Sequence, residues 1–265
     1  MPNEVTRSEK SELLKELFPV VREAGQAIMN VYNAGFSAQT KDDGSPVTLA
    51  DEAAEKIILA GLKAVAPNVT IISEENAASH KLVPPSKFFL VDPLDGTREF
   101  VKQDGKGAFT VNIALIENGE PTLGIVFAPA LDRLFAGVVG EGAVESSASG
   151  SPVISVRDVP PDQKAVAVAS VSHRDAKTND WLAQNGPLEL QTIGSSLKFC
   201  LIACGEADLY PRFSPTMEWD TAAGDAVLRA AGGSMVHPDG KPFRYGKSDY
   251  RNGPFFATGR YPLPL

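Results

Sequence analysis

Basic residues are in short supply in this sequence. The 265 residues include 25 lysines and arginines against 33 aspartates and glutamates, a formal charge of −8. A surface for polymeric DNA or RNA needs a basic stripe, so no such partner is expected. Cysteine is scarcer still: Cys200 and Cys204 stand four residues apart in "LKFCLIACGEADLY". No CxxC and no Cys/His zinc spacing occurs, and the pair reads as two small core residues in a reducing compartment. There is no run of about 18 apolar residues, so no transmembrane helix is expected. The opening stretch, "MPNEVTRSEKSELLKELFPV", is charged and lacks a long apolar segment, so no secretory signal is expected. Neither a Gly-x-Gly-x-x-Gly pattern nor a Walker-type glycine loop stands at a strand–helix turn, which disfavours dinucleotide and P-loop sites. A cytoplasmic enzyme or binding protein remains. Peripheral attachment to the inner membrane stays open, as does the choice between monomer and homodimer.

What is present is ample core material, since 43% of residues are hydrophobic. Leu13, Leu14, Leu17, Val20, Val21, Ala24 and Ile28 recur at spacings of three and four, which predicts a helix over 8–32. Residues 37–47 read as a polar loop or hairpin. Thr48 and Asp51 resemble a capping box ahead of an Ala-rich helix that Pro67 closes. "VTIISEEN" and "KFFLVDPLDG" predict strands, and residues 109–116, 122–128 and 134–139 predict strands in hairpin-like succession. A Gly/Ser-rich stretch, 140–152, is either a decorated hairpin or the seam between two lobes. Beyond it come a strand in "KAVAVASVSHR" and a helix over 174–185. "ELQTIGSSLKFCLIACGEADLYPRF" then reads as strand, turn, helix and strand. "EWDTAAGDAVLRAAGG" predicts a helix stopped at Gly232–Gly233. The mixture points to a layered α/β or α+β fold. It is expected as a single catalytic unit, with an N-terminal lobe over about 1–145 and a C-terminal lobe over about 153–265.

The chemistry-bearing residues are carboxylates at strand ends and helix starts, where α/β proteins present functional groups. Asp51 falls in the first turn of a helix. Glu74 and Glu75 follow "VTII", Asp92 and Asp95 follow "FFLV", and Asp220 precedes "TAAGDAVL". Singly, each has a plainer reading: a capping box for Asp51, a surface carboxylate for Glu75, a turn for Asp92–Gly96, an N-cap for Asp220. Gathered at one site, carboxylates repel one another, and burial raises that cost. A hard divalent cation resolves it. Mg²⁺ suits carboxylates with a backbone carbonyl, and the lack of nearby His and Cys points away from zinc. "DPLDGT" can offer Asp92, the Leu94 carbonyl and Asp95 to metal, while the Gly96 and Thr97 amides can form an anion nest.

"DPLDGTREF" resembles the Asp-Pro-Ile/Leu-Asp-Gly-Thr signature of the inositol monophosphatase superfamily. Glu74–Glu75 and "WDTAAG" at 219–224 match its other two marks, in order, and "DGSPVTLAD" matches its upstream segment. The resemblance runs from about residue 10 to 260. "KDDGSPVTLAD", "GSSLKFCLIACGEADLYPRF" and "PTMEWDTAAGDAVLRAAGG" are similar to the branch of bacterial 3′(2′),5′-bisphosphate nucleotidases. The resemblance implies a layered α-β-α-β-α sandwich and a Mg²⁺-dependent, Li⁺-sensitive phosphatase using two or more ions. It implies hydrolysis of adenosine 3′,5′-bisphosphate to AMP and phosphate, clearing a by-product of sulfate assimilation. Carried over, Glu74, Asp92, the Leu94 carbonyl, Asp95 and Asp220 match metal positions. Asp51 and Thr97 match the pair that handles the attacking water, with Glu74 beside them. Glu74, Leu94, Asp95, Gly96, Thr97 and Asp220 border the scissile phosphate, while Ser195, Ser196, Lys198 and Arg212 match contacts to the nucleotide or its second phosphate. The alternative is an inositol-1-monophosphatase or another sugar phosphatase with the same metal chemistry.

Overall fold

Among the described residues, two large sheets, two two-stranded ones and six α-helices make up the fold, seen here in a computed structural model. It describes residues 7–34, 39–40, 46–47, 49–103, 105–147, 150–170 and 173–263. Helix α1 (Arg7–Ala34) carries the predicted apolar stripe. Strands β1 (Gln39–Thr40) and β2 (Pro46–Val47) pair antiparallel, the hairpin option for 37–47. Helix α2 (Leu49–Val65) follows, and Thr48, the expected capping residue, lies outside the described residues.

The next seven strands form one sheet in chain order: β3 (Thr70–Ser73), β4 (Lys87–Asp95), β5 (Thr110–Glu117), β6 (Glu120–Ala128), β7 (Arg133–Val138), β8 (Gly142–Ser146) and β9 (Val153–Ile154). Only the β3–β4 pair is parallel; the remaining pairings are antiparallel. The Gly/Ser-rich stretch is therefore the decorated hairpin, since β8 joins this sheet and Ser147 bridges to Gly150. A short helix absent from the sequence reading, α3 (Thr97–Lys102), leaves the end of β4.

The second sheet has the order β11-β10-β12-β16-β14. It is built from β10 (Ala165–Ala169), β11 (Leu188–Thr192), β12 (Leu209–Arg212), β14 (Ser234–Val236) and β16 (Phe255–Thr258). Helix α4 (Ala176–Gln184) joins β10 to its parallel neighbour β11, and α5 (Leu197–Ala203) leads into β12. Strands β13 (Thr216–Met217) and β15 (Arg251–Asn252) make a separate pair that flanks α6 (Ala222–Ala230).

Both faces of the sheet are buried along β4–β7, so these strands read as nearly continuous apolar runs. On β4, Phe89 and Val91 face the cluster formed with α1 and α2, whereas Phe88 and Leu90 join the cluster containing α5 and α6. That second cluster also takes in β12 and β16, and α4 packs on the far side of the second sheet. The layers run α1/α2, first sheet, α5/α6, second sheet, α4, which is the expected α-β-α-β-α sandwich. Among the described residues, no helix is long and apolar enough to cross a membrane.

Close approach of layers depends on Gly124 in β6. A Cβ there would stand 2.3 Å from the Ala223 carbonyl oxygen and 2.7 Å from the Ala226 Cβ. Helix α6 thus rests directly on the sheet backbone, and Asp220 stands two residues before its first turn.

Candidate active site

Strand pairing brings the first two carboxylates together. In the parallel β3–β4 ladder Ser73 pairs with Val91, and the Glu74 N–H donates to the Val91 carbonyl at 3.1 Å. Glu74 and Asp92 therefore leave adjacent strands side by side. The β4–β5 register then shifts between Asp92 and Asp95. A bulge of this kind re-aims side chains near a site, and Pro93 has no N–H to lose from the ladder. Asp92 Oδ1 accepts from the Leu94 N–H at 3.0 Å, closing the turn. Gly96 adopts φ +91°, and a Cβ there would stand 2.9 Å from the Ala108 carbonyl oxygen.

Asp220 arrives from the opposite side. Its carboxylate does not cap α6. Instead Oδ2 accepts from the Met217 N–H at 2.8 Å and from the Thr216 hydroxyl. Oxygens of Glu74, Asp92 and Asp220 all lie within 4.8 Å of one another. Asp92 is 1% exposed, and its Oδ2 is buried with no hydrogen-bond partner among the described residues. Burial, followed by the charges of Glu74, Asp95, Asp220 and Asp51, pushes the Asp92 carboxyl well above the usual carboxylate range. Asp95 is pushed up to about 7 by burial and by Asp220, against the pull of Lys198 and of the Ser196 N–H that donates to it. An orphaned oxygen among mutually repelling carboxylates fits a hard cation, which supplies the missing partner and the missing charge.

These residues form one pole of a cavity of about 340 Å³, which Leu94, Gly96, Thr97 and Ser195 also line. The other pole is cationic. Lys198, 3% exposed, is held by the carbonyl oxygens of Ile193 and Ser195 and lies 5.1 Å from the Tyr210 ring centroid. It is not a solvated helix residue. Arg212 donates to the carbonyl oxygens of Ser214 at 3.2 Å and Pro215 at 3.0 Å.

Two expected residues are placed differently. Ser196 does not line the cavity; its hydroxyl bonds Asn112 and Thr110, leaving only its N–H to the site through Asp95. Asp51 is 1% exposed and also lies outside the lining, acting there through its charge on Asp92.

Sequence reasoning passed over Arg98, Glu99, His173, Tyr210, Thr216 and Arg251, all of which line the cavity. His173 had a usable signal, since it follows β10 at the strand end. Burial and the charges of Arg212 and Arg98 hold its imidazole below the ordinary histidine range. Arg251 had none: β15 reaches the site by pairing with β13, which flanks Asp220.

The chain is 42% identical over 252 residues to the 3′(2′),5′-bisphosphate nucleotidase CysQ of Escherichia coli (strain K12), covering 94% of this chain and 100% of that protein. Among solved structures it is similar to CysQ from Bacteroides thetaiotaomicron, described as a bacterial member of the inositol monophosphatase family. That match has a TM-score of 0.81 and 34% identity over 95% of this chain and 98% of the other. An inositol monophosphatase from Zymomonas mobilis gives a TM-score of 0.77 at 25% identity, with 96% and 94% covered. Residues 9–260 match the inositol monophosphatase family, and the chain belongs to that family.

Proposed function

We propose that this chain is a Mg²⁺-dependent 3′(2′),5′-bisphosphate nucleotidase that hydrolyses adenosine 3′,5′-bisphosphate to AMP and phosphate. One observation carries the reading. A carboxylate pole with an orphaned Asp92 oxygen and a cationic pole of Lys198 and Arg212 share one cavity. The full-length likeness to CysQ nucleotidases supports the same substrate class.

In this reading Glu74, Asp92, Asp95, Asp220 and the Leu94 carbonyl hold two or more Mg²⁺ ions, and Li⁺ inhibits. When bound, the metal neutralises the scissile phosphate and lowers the pKa of a water. Thr97, at the start of α3, orients that water within the cavity, and Asp51 takes the proton onward. Gly96 holds the turn beside the phosphate in the left-handed region, where a Cβ would press on the Ala108 carbonyl oxygen. Lys198 and Arg212 grip the second phosphate. Their carbonyl contacts hold both cations before substrate arrives, so less conformational freedom is lost on binding. A guanidinium can take a phosphate through two parallel N–H donors. The same proposal places the enzyme in the cytoplasm, in sulfur metabolism.

The test is phosphate release from adenosine 3′,5′-bisphosphate and from inositol 1-phosphate, with Mg²⁺ and with added Li⁺. The nucleotide should be the far better substrate. Lys198→Ala should cut kcat/KM for the nucleotide about 10²-fold, as expected for losing a charge-assisted contact of 2–3 kcal/mol, and lower turnover of inositol 1-phosphate by much less. Equal loss on both substrates overturns the role of Lys198, and preference for inositol 1-phosphate overturns the substrate.

A further inference from the structure

We propose that His80 is a positioning residue for the metal centre, fastening the strand end that carries Glu74 to the indole that precedes Asp220. This rests on reading those carboxylates as cation ligands. His80 sits in the short 3-10 turn Ser79–Lys81. Its Nε2 lies 2.8 Å from the Ser73 carbonyl oxygen. A carbonyl only accepts, so Nε2 carries the proton in this pair. The imidazole also stacks on Trp219, with centroids 4.8 Å apart and planes 20° apart. Ser73 immediately precedes Glu74, and Trp219 immediately precedes Asp220. One ring therefore spans the two chain segments whose carboxylate oxygens must converge within 4.8 Å.

The ring adds a side-chain link to segments that are otherwise held by backbone and packing contacts. Trp219 is buried, yet its Nε1 has no hydrogen-bond partner among the described residues. Packing alone sets the indole, through its core neighbours, through His80 and through Tyr250 at 6.0 Å. Glu74 lies one residue past the end of β3. Before a cation arrives, Glu74, Asp92 and Asp220 repel one another, which drives their segments apart unless neighbouring groups restrain them. His80 is not among the cavity-lining residues, and its contacts with the ligand-bearing segments are those to Ser73 and Trp219.

The turn is anchored independently of the imidazole. The Ser79 hydroxyl accepts from the Ser73 N–H at 3.1 Å, and the Ser73 hydroxyl donates to Glu55 on α2 at 2.6 Å. Removing the ring thus leaves β3 attached and releases the Trp219 side, which loosens the ligand set without unfolding the chain.

The experiment titrates MgCl2 against the full chain, reading the thermal shift, with phosphate release in parallel. His80→Ala should raise the half-saturating Mg²⁺ concentration about 10–100-fold, the usual effect of losing a group that orients ligands. kcat at saturating Mg²⁺ should stay near that of the unaltered protein. His80→Phe keeps a ring to stack and His80→Gln keeps a donor, so each should recover part of the affinity. A His80→Ala midpoint within about twofold of the unaltered protein overturns the proposal. So does a lower melting temperature without metal as the sole change. If His80→Ala fails to fold, unaltered midpoints in both His80→Phe and His80→Gln overturn it. No Mg²⁺ response from the unaltered protein overturns the metal reading as well, whereas a normal response there with an unchanged variant overturns the His80 role alone.

Discussion

At the scale of single residues, the site is a problem of charge held in place. Asp92 sits at 1% exposure beside four other carboxylates, and no donor among the described residues reaches its Oδ2. A residue kept only for stability would not be a carboxylate here, because burial and like charges both oppose the ionised form. Asp92→Asn removes one source of that repulsion and keeps the shape. The metal-free protein should therefore melt higher, by roughly 2–4 °C for each kcal/mol relieved, while Mg²⁺-dependent phosphate release falls to background. Calorimetry without metal and a phosphate assay with Mg²⁺ check the two halves. Retained turnover would remove Asp92 from the metal set, and a lower melting temperature would deny that repulsion governs it. Asp95 differs in degree, since Lys198 and the Ser196 N–H partly offset the same burial.

At the scale of elements, the site depends on how strands and helices meet. That is where the sequence was most and least informative. The apolar run at 88–91 ends at Asp92, and the β-branched run at 69–72 ends near Glu74, so both strand ends were legible from local pattern. Their adjacency was not, because it arises from the parallel β3–β4 register, a pairing across intervening chain. Helix α3 was hidden for another reason. Six residues are too few to establish a 3.6-residue period, and Gly96 in the left-handed region sets its start. His80, Tyr210 and Arg251 carry no local mark and gain meaning only from their neighbours in space. Helix α6 offers a test at this scale. Gly124→Ala places a methyl against the Ala223 carbonyl and the Ala226 side chain. Overpacking of this kind costs about 1–3 kcal/mol. The helix must lift, and Asp220 with it. Gly124→Ala should lower stability by that amount in denaturant melts and also weaken Mg²⁺ binding. Unchanged Mg²⁺ affinity alongside the lost stability would mean that the height of α6 does not set the position of Asp220.

At the scale of the whole molecule, an acidic chain of net charge −8 has to admit an anionic substrate. The two-pole cavity meets this need only when a cation offsets the carboxylate pole, so metal, proton and fold are linked. The direction of that linkage follows from Asp92, raised well above the usual range, and Asp95, raised from 3.8 to about 7. For an acid, a raised pKa in the fold means that the native state keeps a proton that the unfolded chain has released. Stability from this source is whole below the unfolded pKa of 3.8 and is lost as pH climbs through about 7. Mg²⁺ binds the ionised carboxylates and competes with those protons. The metal-free protein should lose thermal stability between about pH 5 and about pH 8, and the stabilisation by saturating Mg²⁺ should grow over the same span. Near pH 7, Mg²⁺ binding should also release protons, visible in titration calorimetry as a heat that changes with the ionisation enthalpy of the buffer. An Mg²⁺ stabilisation that is flat with pH, together with no proton release, would mean that Asp92 and Asp95 are already ionised in the metal-free fold, and that groups other than the metal neutralise the pole.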